Sequence, residues 1–306
     1  MIKLDDDKAT RSIQPNSILS VYIDRGLKRR QDMQRNRILF TILLLFASLV
    51  IFGCLAANQI TALGPAMIQG NGNIVKEGRP VRTFNRIALA GSGEVILSQG
   101  KNESLTLEAD DNLMEYIKAE VQNGTLILGL KDEARYKNIR PSQRIKFTVV
   151  AEDINGLNIS GSGDMTSGAI ETNSLDINIS GSGDMEIESL LAERLNINVG
   201  GSGDVYIQHI EGGTVQVGIS GSGKIELAGD VNEQDITISG SGQCLASDLK
   251  SQTGSIRISG SGGAFVWVVE SLNANISGSG SVNYYGSPST NLTSSGSGKI
   301  KSLGER

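Results

Sequence analysis

The chain is poor in the residues that staple, bend or catalyse. Of 306 residues, two are Cys, five are Pro and one is His, and aromatics make up 4%. With only Cys54 and Cys244 available, no disulfide framework can hold the fold, so stability must come from packing and backbone pairing. The single histidine, His209, leaves the many serines without a second imidazole to activate them, which excludes a Ser/His/Asp hydrolase. His209 itself falls in the return loop of a repeat and reads as a solvated polar residue. Glycine is the opposite case: 38 residues, about twice the usual share of roughly 7%. An excess of glycine without proline points to many tight turns rather than to collagen or a disordered tail.

Clustered positive charge is missing from most of the chain. Residues 1–37 carry nine Lys and Arg against five Asp, and the whole chain is formally −5, which leaves about −9 for residues 58–306. So acidic a body is a poor match for a phosphate backbone, and nucleic acid is excluded as a partner.

One long apolar run exists, "ILFTILLLFASLVIFGCLAA" (38–57), whose 20 residues suffice at about 1.5 Å each to cross a hydrocarbon core of about 30 Å. Lys28, Arg29, Arg30, Arg35 and Arg37 precede it, so the N-terminus is expected to stay cytoplasmic and the remainder to be exported. A second reading starts translation at Met33, which leaves residues 1–32 untranslated. It makes "MQRNR" the charged region of a signal peptide and Cys54 the acylated residue of a lipoprotein, although Phe52 is bulkier than that pattern prefers. The other reading is an uncleaved signal anchor with Cys54 in lipid. Both expect a body tethered to a membrane, outside the cytoplasm in the bacterial cell envelope. Residues 58–78 then form a linker.

The glycines are ordered. Gly-Ser-Gly triplets begin at Gly161, Gly181, Gly201, Gly221, Gly240, Gly260, Gly278 and Gly296, with an outlier at Gly91, and the eight are spaced by 18 to 20 residues. A fixed period of this size marks a solenoid, in which each unit buries its apolar face by stacking on its neighbours. Two residues before the triplet stand Ile159, Ile179, Val199, Ile219, Ile238, Ile258 and Ile276; four after it stand Met165, Met185, Val205, Ile225, Cys244, Ala264, Val282 and Ile300. Polar residues alternate with these columns, so each repeat holds two half-buried β-strands, and no 3.6-residue spacing supports a helical solenoid. Gly161-Ser162-Gly163, Gly181-Ser182-Gly183, Gly201-Ser202-Gly203 and Gly221-Ser222-Gly223 are read as corners. Their glycines supply positive φ or close backbone approach, and their serine hydroxyls satisfy backbone groups.

The expected fold is therefore all-β: a right-handed parallel β-helix of two sheets with 18–20 residues per coil over 156–303, on the order of 40 Å long. The handedness follows from the rule for parallel crossovers. No hexad of a left-handed acyltransferase-type helix and no nine-residue calcium-binding repeat is present. Residues 79–155 contribute a first coil, with Ile87, Leu89, Val95 and Leu97 about Gly91-Ser92-Gly93, and an α+β cap. In that cap "SLTLEA" reads as a strand, "DDNLMEYIKAEV" as a helix after an Asp cap, and "VQNGTLIL" as an Asn-Gly hairpin. Lys299, Lys301 and Arg306 charge the last coil against edge-to-edge association.

The ordered pattern "RPVRTFNRIALAGSGEVILSQG" (79–100), "AEVQNGTLILGL" (119–130), "RIKFTVVAEDINGLNISGSGD" (144–164) and the later "NISGSGD" repeats resembles the bacterial head GIN domain family of autotransporter adhesins, over roughly residues 70–303. The resemblance implies a two-sheet right-handed β-helix, export and a role in adhesion. The chain stops soon after Ile300, so no translocator barrel, and hence no self-export, is expected.

Few residues offer chemistry. Asp164, Asp184 and Asp204 form one column at rung spacing, which is either a weak candidate Ca²⁺ ladder or a set of solvated turn residues; Lys224 and Gln243 continue the column. Cys244 replaces a stacking aliphatic and reads as a small buried hydrophobe. A polysaccharide lyase would need cleft-building loops, but two five-residue strands and a corner consume about 13 of 20 positions. Tyr206, Phe265 and Trp267 fall on the outward parity, where they either form a contact surface for a glycan or protein ligand or lie buried under a loop. The sequence thus reads as an exported, membrane-tethered adhesion or envelope-structural module without catalysis and with no cofactor implied. An envelope sensor or scaffold is the alternative, and a glycan-processing enzyme the third. Oligomeric state is not legible.

Overall fold

The computed structural model describes residues 67–134 and 137–306. The basic tail, the apolar segment with Cys54 and residues 58–66 of the linker lie outside the described residues, and the rest of the expected linker carries two strands. Among the described residues no helix is long and apolar enough to cross a membrane. Of the described residues 67% lie in strands, and they form a β-solenoid of about seven turns.

In chain order the first strands are β1 (Ile68–Gln69), β2 (Ile74–Arg79), β3 (Arg86–Gly91), β4 (Glu94–Gln99), β5 (Ser104–Asp110), β6 (Ile117–Gln122), β7 (Thr125–Leu130), β8 (Ile139–Arg140), β9 (Lys146–Ala151) and β10 (Gly156–Gly161). Long strands follow: β11 (Asp164–Ile179), β12 (Met185–Val199), β13 (Val205–Ile219), β14 (Lys224–Ile238), β15 (Gln243–Ile258) and β16 (Gly263–Ile276). Then come β17 (Ser281–Tyr285), β18 (Ser289–Ser294) and β19 (Lys299–Ser302).

From β10 onward each ladder is parallel, and its register equals the repeat length read from the triplets. Met165 pairs with Met185 and Ile177 with Ile197, while Ile225 pairs with Cys244 and Ala264 with Val282. The apolar columns on both sides of the corner are buried as expected, from Ile159 and Met165 to Ile276 and Val282. The return differs from the loop expected there. Each of β11 to β16 runs unbroken for 14 to 16 residues, so the return is itself hydrogen-bonded to its neighbours. It adds buried columns of its own, Ile170, Leu190 and Ile210, then Leu175, Leu195 and Val215. Stacking coils of one length brings their returns into the same register as their strands, and unpaired buried backbone would be costly.

The corners owe their glycines chiefly to close approach. A Cβ on Gly181, Gly183, Gly201 or Gly203 would lie 2.0–2.1 Å from the carbonyl oxygen of the equivalent glycine one coil earlier, and in the corners beginning at Gly161, Gly181, Gly201 and Gly221 only Gly161 has a positive φ, 138°. The corner serines also act differently from expectation. Ser162, Ser182, Ser202 and Ser222 are exposed, and it is their backbone N–H that donates to the glycine carbonyl of the previous coil, at 2.8–3.0 Å.

The N-terminal strands do not follow the chain's winding order. The β3–β4 coil comes early in the chain yet lies between later strands: β10 and β11 stack on one side, β7 and β9 on the other, all parallel. Beyond β7 and β9 the pairing turns antiparallel, with β6 on β7 and β5 on β9, then β2 on β5. The Asn-Gly hairpin is present, with Asn123 at φ 51° and Gly124 at φ 74°, the two left-handed residues such a turn needs. The helix expected after an Asp cap in the pattern "DDNLMEYIKAEV", just before this hairpin, is a six-residue 3₁₀ segment, Asp111–Tyr116, and Ile117 onward is strand β6. Asp110 makes no side-chain cap, because its carboxylate accepts from the Gly72 and Ser142 N–H groups and the Ser142 hydroxyl instead.

Candidate functional site on the outward aromatic face

Residues five and seven after each triplet's first glycine point outward, because their neighbours at four and six point into the core. On β16 this parity holds: Ala264, Val266 and Val268 are buried, while Phe265 and Trp267 are half-buried on the outer side. Burial of the whole segment "FVWVV" is thereby excluded. Pairing sets Leu245 and Asn283 on either side of Phe265, and Lys250 and Tyr285 on either side of Trp267. Tyr206, 39% exposed, pairs with Glu186 and Glu226 on β13's flanks. It stands three rungs from Phe265, about 14 Å at about 4.8 Å per rung. The three predicted aromatics are therefore one cluster of two and a lone tyrosine.

A register break builds the cluster. Ala246 pairs with Val266, but the next pair is Lys250 with Trp267, so residues 247–249 have no partner on β16. Together with a second break between Ser251 and Thr253, which takes the offset from 17 to 18, this break absorbs the drop of the repeat from 20 to 18 residues. It turns Leu249 into the core and leaves Asp248 at the surface. Into this gap reaches Arg306, whose guanidinium carbon lies 5.6 Å from the Trp267 ring centre and 5.4 Å from that of Tyr285. Its nitrogens donate to the Ser247 carbonyl and to the Asp248 carboxylate. The Lys250 ammonium lies 5.8 Å from the Trp267 ring. Each such cation–π contact contributes about 0.5–1 kcal/mol at an exposed site. Beneath, the buried Gln234 amide donates to Ser251 Oγ at 2.7 Å and to the Trp267 carbonyl at 3.2 Å, and Ser251 Oγ donates to the same carbonyl at 3.2 Å. This polar network ties the Trp267 backbone to two earlier strands.

The other candidates resolve differently. Asp164, Asp184 and Asp204 do form a column, but each spends an Oδ1 on the backbone N–H of the next member: Asp184 at 3.3 Å, Asp204 at 2.9 Å and Lys224 at 2.7 Å. Asp164 also pairs with Arg144, which raises that guanidinium's pKa further. Where the column changes to Lys224 and Gln243, the next N–H groups turn to corner carbonyls, Gln243 to Gly223 and Gly263 to Gly242. The aspartates thus replace a backbone acceptor. Among the described residues no group of three or more His, Cys, Asp or Glu could hold a metal ion. Cys244 is fully buried, and burial pushes its thiol up to about 12, far from a reactive thiolate. His209 sits in strand β13 rather than in a loop, and is exposed.

Depressions also lie elsewhere on the described solenoid, away from the aromatic face. One, of about 610 Å³, is open and polar and lies over Asp176, Asn178, Asn196, Asn198, Gln216 and Asp235, whose amides form ladders such as Asn196 to Asp176 at 2.8 Å and Asn178 to Asn158 at 3.1 Å. Another, of about 340 Å³, is more enclosed and lined by Leu130, Ile139, Pro141, Ile145 and Phe147 beside the first corner.

Sequence reasoning missed Tyr285, Asp248, Lys250 and Arg306. Tyr285 was within reach, since it stands seven after Gly278 as Trp267 stands seven after Gly260. The other three depend on the register break.

The model of the family described as "Putative auto-transporter adhesin, head GIN domain" matches residues 83–208 and again 187–288. Among solved structures, the "putative lipid binding protein" of Parabacteroides distasonis is 29% identical with a TM-score of 0.74, covering 78% of this chain and 99% of its own. A "putative adhesin" of Bacteroides fragilis is 26% identical with a TM-score of 0.59, covering 77% and 100%. A "putative adhesin" of Parabacteroides merdae, 21% identical with a TM-score of 0.74 over 78% and 99%, shares the fold. No curated protein matches significantly.

Proposed function

The chain belongs to the head GIN domain family, and from that premise we propose that it is a non-catalytic adhesion module, exported and held to a bacterial membrane through residues 38–57. Either Cys54 acylation or an uncleaved helix provides the tether. The solenoid is a right-handed two-sheet helix whose antiparallel strands β2, β5 and β6 cap one end. The observation that carries the reading is the half-exposed cluster of Leu245, Phe265, Trp267 and Tyr285 on a rigid sheet. Aromatic side chains of this kind supply most of the energy of a contact surface, because they bury large area at little entropy cost. The titratable groups support the absence of catalysis: the one thiol described is buried and the aspartate column is occupied by backbone donors.

The test expresses the full chain and follows its membrane fraction, intact mass and exposure to added protease, with Cys54→Ala alongside. Cells displaying wild type are then compared for attachment with cells displaying a Phe265→Ala/Trp267→Ala variant. The reading expects a membrane-associated, protease-accessible body and attachment at least several-fold lower in the double variant. A cytosolic chain, or equal attachment at equal display, would overturn it. The enclosed apolar depression beside the first corner favours a second reading, acyl-chain binding, in keeping with the name of the P. distasonis relative. Lipid co-purifying with wild type but not with an Ile145→Asp variant would support that reading.

A further inference from the structure

We infer that Trp267, Tyr285 and Asp248 form a recognition site for an arginine side chain of a partner protein, and that Arg306 keeps this site closed. The inference rests on the aromatic face being the contact surface, and it names what that surface takes. The geometry of Arg306 shows what the site fits. One guanidinium lies within 6 Å of two ring centres and at the same time donates to a carbonyl, that of Ser247, and to a carboxylate, that of Asp248. A planar guanidinium with forked donors satisfies all four contacts together, whereas a compact ammonium can stack or pair but not span both.

The site is built by the fold rather than by the arginine. Trp267 and Tyr285 are adjacent rungs of a parallel ladder, and the Trp267 carbonyl is anchored by Gln234 and Ser251. Ser247 and Asp248 are pushed out by the register break between β15 and β16. None of these positions depends on Arg306. The arginine, by contrast, lies two residues beyond Gly304, the last residue whose backbone is paired, and its own contacts are made by its side chain. A body carrying about −9 attracts a basic partner over distance and brings its arginine to the mouth of the site. Lys250 shares the Trp267 ring at 5.8 Å, so the ligand enters from the Tyr285 and Asp248 side, where Arg306 now lies.

Displacing an internal competitor lowers apparent affinity by the fraction of time the site is open. If Arg306 occupies it nine-tenths of the time or more, removing Arg306 tightens binding by about tenfold or more. Trp267 is the only tryptophan in the chain, so its emission reports the site directly.

The experiment titrates full-length protein in detergent micelles with L-argininamide and, separately, with the neutral glucan cellohexaose. Trp267 emission is followed in wild type, Arg306→Ala, Arg306→Lys and Arg306→Ala/Asp248→Asn, each first shown to melt as wild type does. The expected result is a saturable response to argininamide in Arg306→Ala, with half-saturation about tenfold or more below wild type, Arg306→Lys intermediate, and at least a several-fold loss in the double variant. Equal half-saturation in wild type and Arg306→Ala, an Asp248→Asn change without effect, or no saturation in any variant would overturn the inference. A response to cellohexaose alone would also overturn it and make the face a sugar-stacking surface. Failure of this inference is separable from failure of the adhesion reading. Attachment lost in Phe265→Ala/Trp267→Ala but untouched by saturating argininamide leaves the contact face in place and removes only the arginine.

Discussion

The antiparallel N-terminal strands and the repeated coils are held in different ways. In the coils the same contact recurs at each rung: a glycine whose hydrogen faces the carbonyl of the glycine below, a corner N–H bonded downward, an aliphatic above an aliphatic. In the N-terminal part, order rests on contacts made once. Asp110 gathers Gly72 and Ser142, and Gly70 carries no side chain because the Asp110 carboxylate lies where its Cβ would be. Repetition gives a structure whose failure is steric and spreads to the neighbouring coil. Unique contacts give one whose failure is electrostatic and stays local.

The largest effect expected from breaking this contrast is steric. Gly201→Ala drives a Cβ to 2.0 Å from the Gly181 carbonyl oxygen, a backbone atom that cannot rotate away. It should cost about 3 kcal/mol or more. Gly78→Ala in β2 meets no atom within 4 Å and should change stability by less than about 0.5 kcal/mol. Urea unfolding of the two variants checks both.

Next in size is Asp110→Asn, which loses charged hydrogen bonds to the Ser142 and Gly72 N–H groups. It should cost about 2 kcal/mol, with amide exchange quickening around residues 70–73 and 140–144 while the coils stay protected. The pH dependence carries the same sign. Burial pushes the Asp110 carboxyl up, but the hydrogen bonds from Ser142, on side chain and backbone, and from Gly72 together outweigh it and hold its pKa below the ordinary 3.8. A depressed carboxylate stabilises fully above its unfolded pKa and loses that contribution as pH falls through the folded value. Exchange at residues 70–73 should therefore rise below about pH 4 in wild type and show no such step in Asp110→Asn.

The smallest effect concerns the aspartate column. Asp184→Asn keeps an oxygen for the Asp204 N–H and should be near neutral, whereas Asp184→Ala should cost about 1 kcal/mol. Thermal melting of the pair separates an acceptor role from a charge role, and equal melting would deny the hydrogen bond any part in the rung.

Much of the fold was legible because its information is local. Ile159, Ile179 and Val199 declare a column by spacing alone, and the spacing of the triplets equals the ladder register at Met165/Met185 and Ile225/Cys244. What misled was also local. "NLMEYIKAEV" offers apolar residues at helical spacing, yet Ile117, Ala119 and Val121 also alternate, and pairing with β7 selected the strand. The return read as a loop because its polarity is that of a loop, and only the neighbouring coils supply its hydrogen-bond partners. At the candidate site, Phe265 and Trp267 were visible by parity. Asp248 and Arg306 were not, since they lie 19 residues before and 39 residues after Trp267.

By itself the sequence determined the period, the alternation and hence a stacked β-solenoid, because a side chain's face follows from its parity and a coil's length from its glycines. Only the tertiary structure decided which residues each coil omits when 20 positions must pair with 18. The break fell after Ala246, where Leu249 could turn into the core, and it left Asp248 beside the surface of Trp267. Spacing states that residues must be skipped; packing chooses which, because each choice buries a different side chain.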